Sequence, residues 1–262
     1  YKMTNFFTAE ELKSNYEKFR KLINKSFTGE RLEKLNKMYD HFEDRIIYTP
    51  ASSFEHFHNS FPGGYIDHVL RVTRNALKLY DMYLELGMIE EGEISKESVI
   101  FSAIHHDLGK LGSVDADHYL KNDSEWHRKN QGKMYKLNPS NHYMDTHDRT
   151  FFHLIHFGIK LTEEEFLGIR LTDGVYDESS REYLRQFNKD KVLKTMLPHI
   201  LHQADMMASK FEFQRWKKSS DKSKGTRNPN GRPSTQSKLS NAFTSTENKV
   251  NVFDAFKDIV ED

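Results

Sequence analysis

Histidine and aspartate gather in four places along this chain. These are Gly63-Gly64-Tyr65-Ile66-Asp67-His68, His105-His106-Asp107-Leu108-Gly109-Lys110, His147 with Asp173, and His202-Gln203-Ala204-Asp205. Two imidazoles and two carboxylates make a mixed nitrogen and oxygen donor set. Such a set suits a hard or borderline divalent cation, Mn²⁺ or Mg²⁺ first, with Fe²⁺, Ni²⁺, Co²⁺ and Zn²⁺ also open. A His-Asp dipeptide alone carries little weight, and His147-Asp148 is a second one in the same chain. His106-Asp107 gains weight from its place near the end of an otherwise apolar helix, where a carboxylate is costly unless paired or metal-bound.

The elements that must position these groups are helical. Thr8 to Glu11 fits a capping box ahead of Leu12, Tyr16, Phe19 and Ile23, and Thr28 opens a second stretch carrying Leu32, Leu35, Met38 and Phe42. After Pro50 and the turn Pro62-Gly63-Gly64, apolar spacing predicts a long helix over 66–86. Ser95 caps another, which stops near Gly109 or Gly112. Helical pattern returns over 149–157, after a second capping box at Thr162 to Glu165, and from Leu197 to about Trp216. The polar segment 113–146 has neither period. It reads as a long loop with a small hairpin around Met134-Tyr135-Lys136-Leu137.

Composition narrows the chemistry. With no cysteine among 262 residues, disulfides, thiolate zinc sites, iron–sulfur clusters and a cysteine nucleophile are excluded. Thirty-nine basic and thirty-nine acidic side chains give zero formal charge, so any polyanionic partner must be met by a local patch. No apolar run approaches a membrane span, and the first residues lack a signal-peptide pattern. The expectation is a chain without membrane contact, working in the cytoplasm, or in a host cytoplasm if viral. Fourteen histidines is the count that asks for a function.

In this order the motifs resemble the HD-domain metal-dependent phosphohydrolases, whose signature is a lone His, a later His-Asp pair and a distant Asp. They map here onto His68, His106, Asp107 and Asp205. The run Pro50-Ala51-Ser52, His56, His58, Gly63-Gly64 and His68 is similar to the opening motif of HD domains in certain 3′–5′ exoribonucleases and conjugative-element proteins. Leu201-His202-Gln203-Ala204-Asp205 resembles their closing segment. The likeness spans roughly Tyr48 to Lys210, and the Ile159 to Glu165 stretch resembles HD proteins of large tailed bacteriophages. The resemblance implies an all-α HD-domain bundle holding a divalent metal between His68, His106, Asp107 and Asp205. It also implies hydrolysis of a nucleotide or nucleic-acid phosphoester by a metal-activated water, with Asp107, Lys110 and Asp173 as the catalytic candidates.

One departure from that family bears on metal number. Members with two metals add histidines around the Leu-Thr-Glu-Glu helix; His147 fits the first, but Thr172 stands where another imidazole is expected. A single-metal site is therefore expected. Asp173 is a candidate ligand or water-orienting base, while His147, His56 and His58 are candidates for a second metal or for phosphate. Lys110 suits a phosphate oxygen or, equally, the negative end of its helix. His105 reads as a core or supporting group, because neighbouring helical residues point about 100° apart.

The domain reading is an N-terminal helical extension over 1–48, the HD domain over 49–216, a flexible basic linker over 217–249 and a short amphipathic helix over 250–262. Six basic residues against one acid from Lys217 to Pro233 favour phosphate contact or a solvated linker. Val252, Phe253, Phe256, Ile259 and Val260 share one helical face that needs a surface, here expected to be a protein partner. Two alternatives stay open: a 3′–5′ exonuclease on single-stranded RNA or DNA, and a catalytically reduced binding or docking protein.

Overall fold

The computed structural model describes residues 7–224, with side chains to 220. The expected docking helix over 250–262 and most of the basic tail lie outside the described residues. Helices dominate: α1 (Ala9–Ser26), α2 (Gly29–His41), α3 (Glu43–Tyr48), α4 (Gly64–Glu85), α5 (Lys96–His105), α6 (Glu125–Gln131), α7 (Thr146–His156), α8 (Glu163–Arg170), α9 (Glu178–Leu184) and α10 (Leu197–Lys224). Among the described residues the one sheet is the pair β1 (Tyr119–Lys121) and β2 (Tyr135–Leu137), and no helix is long and apolar enough to cross a membrane.

Local chemistry sets the helix starts. Thr8 and Glu11 form a reciprocal capping box, as do Thr162 and Glu165, and the Ser95 hydroxyl accepts the Ser98 N–H. Helix α4 is the central element, with α5 and α10 packed on it and α8 against both of those. Its first half is buried on almost every side, which is why its apolar residues are not confined to a stripe. Helices α1 to α3 lie on the same core, supplying Phe19, Ile23, Phe27, Leu35, Met38, Tyr39 and Phe42 to one continuous cluster with Val69, Leu70, Phe101 and Ile104. A buried charge fastens this layer. Arg31 donates to both carboxylate oxygens of Glu165 at 2.8 Å and to Glu97 at 2.8 Å, with its guanidinium 3.9 Å from the Phe101 ring centroid.

Three expectations need correction. Helix α5 ends at His105 and a 3-10 turn, Leu108–Leu111, takes over, so His106 and Asp107 sit at the junction and are released from helical spacing. The segment 113–146 is no simple loop with a hairpin. β2 pairs antiparallel with β1, placing Leu120 opposite Lys136, with α6 inserted between the strands. Helix α10 continues past Trp216 to Lys224, because lysine and serine tolerate a helix and no Gly or Pro intervenes before Gly225. The first part of the expected flexible linker is thus helical. Helices α3 and α9 also escape the sequence reading; at six and seven residues they are too short to show a period.

Candidate metal centre

The site forms where α4, the α5 junction and α10 meet. Gly63 has φ 81° and a side chain there would run into Leu12, while a Cβ on Gly64 would overlap the carbonyl of Asn59. The Gly-Gly pair therefore lets the 51–63 loop press against the start of α4, which carries His68 one turn inside. Asn59 holds this loop with a left-handed φ of 41°, a conformation asparagine tolerates, and its amide donates to Asp67 at 2.8 Å.

His68, His106, Asp107 and Asp205 converge. His68 Nε2 is 3.2 Å from Asp205 Oδ1, 3.4 Å from His106 Nε2 and 3.6 Å from Asp107 Oδ2, and His106 Nε2 is 3.5 Å from the same Asp107 oxygen. Donors at 2.0–2.3 Å from a shared cation stand about 3–3.7 Å from one another, so the spacing suits one ion. Tautomers agree with this. The Nδ1 of His106 faces the Ala103 carbonyl at 2.8 Å and must donate to it, which turns the Nε2 lone pair into the cluster.

The cluster's electrostatics follow from burial and neighbours. Burial disfavours charge on His68, but Glu212 and then Asp205 outweigh it and push its pKa up to about 10. Burial works against ionised Asp107, yet Lys110, His106 and His68 hold the carboxyl well below its usual range. Asp205 is held low against the same opposition by His68 and His106. With its ring protonated, His68 supplies the positive charge that a bound divalent cation would replace.

Glu212 escaped the sequence reading. Fully buried on α10, it accepts from His68 Nδ1 at 3.2 Å through either oxygen and from Arg71 Nε at 3.1 Å. Arg71 also grips Asp67 at 3.1 Å, and Arg215 joins Asp67 to Asn59 at 3.1 and 2.7 Å. This network orients the imidazole by its far nitrogen, as outer carboxylates do for metal-bound histidines. A signal existed: Glu212 lies two helical turns after Asp205, on the same face and amid apolar residues.

The remaining candidates divide. Lys110 Nζ is 2.7 Å from Asp107 Oδ2, so it pairs with the site rather than serving only the helix end, and its ammonium is stabilised against burial first by Asp107. His147 Nε2 lies 3.9 Å from Asp173 Oδ2, and burial pushes the imidazole down and the carboxyl up, so both lean toward uncharged forms. That pair borders the cluster, since Asp107 acts electrostatically on both members. Thr172 is buried with its hydroxyl donating to the Gly168 carbonyl, which makes it a helix-end residue and no donor to the site. His105 belongs to the core, its Nε2 accepting from the Tyr39 hydroxyl at 2.6 Å.

His58 reaches the site, with a ring nitrogen within 4.8 Å of donor atoms of His68 and Asp107. His56 does not. It packs instead among Phe54, Phe57 and Trp216, with ring centroids 5.5, 4.5 and 6.2 Å away.

Fold and site together define a mostly helical protein in which His68, His106 and Asp205, and likewise His58, His68 and Asp107, lie close enough to hold a metal ion. No family model matches the chain, and no match was found among curated proteins or solved structures.

Proposed function

We propose that this protein is a metal-dependent phosphohydrolase of the HD type, acting on a phosphoester of a nucleotide or nucleic acid. The observation that carries the reading is the convergence of His68, His106, Asp107 and Asp205 from three separate elements, in the order the family resemblance requires. When bound there, a divalent cation supplies a nucleophile at neutral pH and charge to offset that of the phosphoryl group. The chain's own residues do the rest. Lys110, anchored on Asp107, donates from its ammonium to a phosphoryl oxygen beside the cluster. In this reading Asp173, more than half exposed beside His147, takes a proton from water.

The test is to strip the protein of metal, add Mn²⁺, Mg²⁺, Co²⁺ or Ni²⁺ separately, and offer mononucleotides, cyclic nucleotides and single-stranded RNA and DNA. Metal-dependent release of phosphate or nucleoside supports the reading. Stepwise shortening of oligomers selects the exonuclease alternative, and no turnover with any metal overturns the enzyme assignment in favour of a binding protein.

A further inference from the structure

His58 stands outside the four-residue set, yet the structure places it with two of its members. A ring nitrogen of His58 and donor atoms of His68 and Asp107 all lie within 4.8 Å of one another, and the His58 and His68 ring centroids are 4.8 Å apart. The Nε2 of His58 is buried with no hydrogen-bond partner. A buried nitrogen left unpaired costs free energy comparable to a lost hydrogen bond, which a ligand at this position would recover. Donors on opposite sides of a cation at about 2.2 Å stand about 4.4 Å apart, so the grouping is close to what one ion needs.

His68 decides how many ions are involved. It belongs both to this group and to the group of His68, His106 and Asp205. Its Nδ1 faces Glu212 at 3.2 Å, while its Nε2 faces Asp205, His106 and Asp107. One ring nitrogen offers one lone pair, so His68 serves a single cation and both groups must close on the same one. Asp107 permits this. Its Oδ2 lies 3.5 Å from His106 Nε2 and accepts from Lys110 at 2.7 Å, and an ionised carboxylate has further lone pairs on its two oxygens. The loop carrying His58 is also pinned next to it: the side chain of Asn59 donates to Asp67 at 2.8 Å and accepts from Arg215 at 2.7 Å, and its backbone carbonyl fills the space that a Cβ on Gly64 would take.

We propose that His58 is a fifth protein ligand of the metal, giving one cation three imidazole nitrogens and two carboxylates. This rests on the metal-site reading above and extends it to the identity of the ion. A nitrogen-rich set favours Zn²⁺, Fe²⁺ or Ni²⁺ over Mg²⁺, which prefers oxygen donors and keeps several waters.

The experiment uses the full chain, metal-stripped, with its histidine rings isotopically labelled for nitrogen. Wild type, His58→Ala and His58→Phe are titrated with Zn²⁺ and followed by NMR of the ring nitrogens, and calorimetry measures Zn²⁺ and Mg²⁺ affinity separately. The expected result is three metal-shifted ring nitrogens in wild type and two in each variant. Zn²⁺ affinity should fall at least tenfold in both variants while Mg²⁺ affinity stays within threefold, a contrast that loosened packing does not produce. Only two shifted nitrogens in wild type, Zn²⁺ affinity unchanged by both substitutions, or equal losses for Zn²⁺ and Mg²⁺ would overturn the proposal and leave the four-residue site standing. No shifted nitrogen at all, with wild type and Asp205→Ala binding Zn²⁺ equally poorly, would instead bring down the metal-site reading itself.

Discussion

Glu212 sets both carboxylate oxygens 3.2 Å from the Nδ1 of His68, a residue 144 positions earlier, and neither side chain is more than marginally exposed. Through this contact α10 controls the orientation of a ligand on α4. Arg71 holds Glu212 from the other side, so the carboxylate cannot swing away without leaving a buried guanidinium short of a partner.

Replacing that carboxylate by an amide should therefore weaken the metal site while keeping the fold. Glu212→Gln is expected to lower Mn²⁺ affinity by about 10- to 100-fold, as loss of an outer carboxylate on a ligating histidine does. Calorimetric titration checks this, with circular dichroism as the control for folding. Affinity equal to wild type would show that packing alone fixes His68.

Asp107 is expected to be indispensable to turnover. Asp107→Asn keeps the size of the side chain and removes a negative donor from the cluster, and also the partner of Lys110 at 2.7 Å. Hydrolysis should fall to the level seen without added metal, because the metal's charge is no longer held at the reacting phosphate. Metal-dependent turnover near the wild-type rate in this variant would place the active centre elsewhere.

Arg31 makes a stability prediction independent of the site. Arg31→Met leaves Glu165 fully buried without its guanidinium, and breaking a buried pair from one side costs roughly 3 kcal/mol. Urea unfolding should show that loss, and the double variant Arg31→Met with Glu165→Gln should recover part of it. Metal affinity should stay at the wild-type level, because α2 and α8 contribute no ligand.

Acid sensitivity should trace in part to His153. Buried against Phe42, its Nε2–H donates to the Gly112 carbonyl at 2.8 Å, and burial lowers its pKa to about 4 from an ordinary 6.5. The folded state thus disfavours the imidazolium. The residue's contribution is complete above about pH 6.5 and is lost as pH falls toward 4. Between pH 7 and pH 5 the wild type should lose roughly 2 kcal/mol more than His153→Asn does, measured by urea midpoints at both values. Parallel pH profiles for the two proteins would remove His153 from the account.

The periodicity of α1 and α7 and the caps at Thr8, Ser95 and Thr162 were determined by the sequence itself, because each depends on neighbours within three or four positions. Resemblance to the HD-domain signature also marks His68, His106, Asp107 and Asp205 as a set. Tertiary structure alone decided that Asp205 meets His68, that His58 lies beside His68 while His56 packs by Trp216, that β1 finds β2 across α6, and that Glu212 reaches His68 Nδ1. These contacts join residues that share no helical turn. Which carboxylate ends up beside which imidazole is fixed by the angle and rotation at which α10 packs on α4, and that is a property of the whole core rather than of any local stretch.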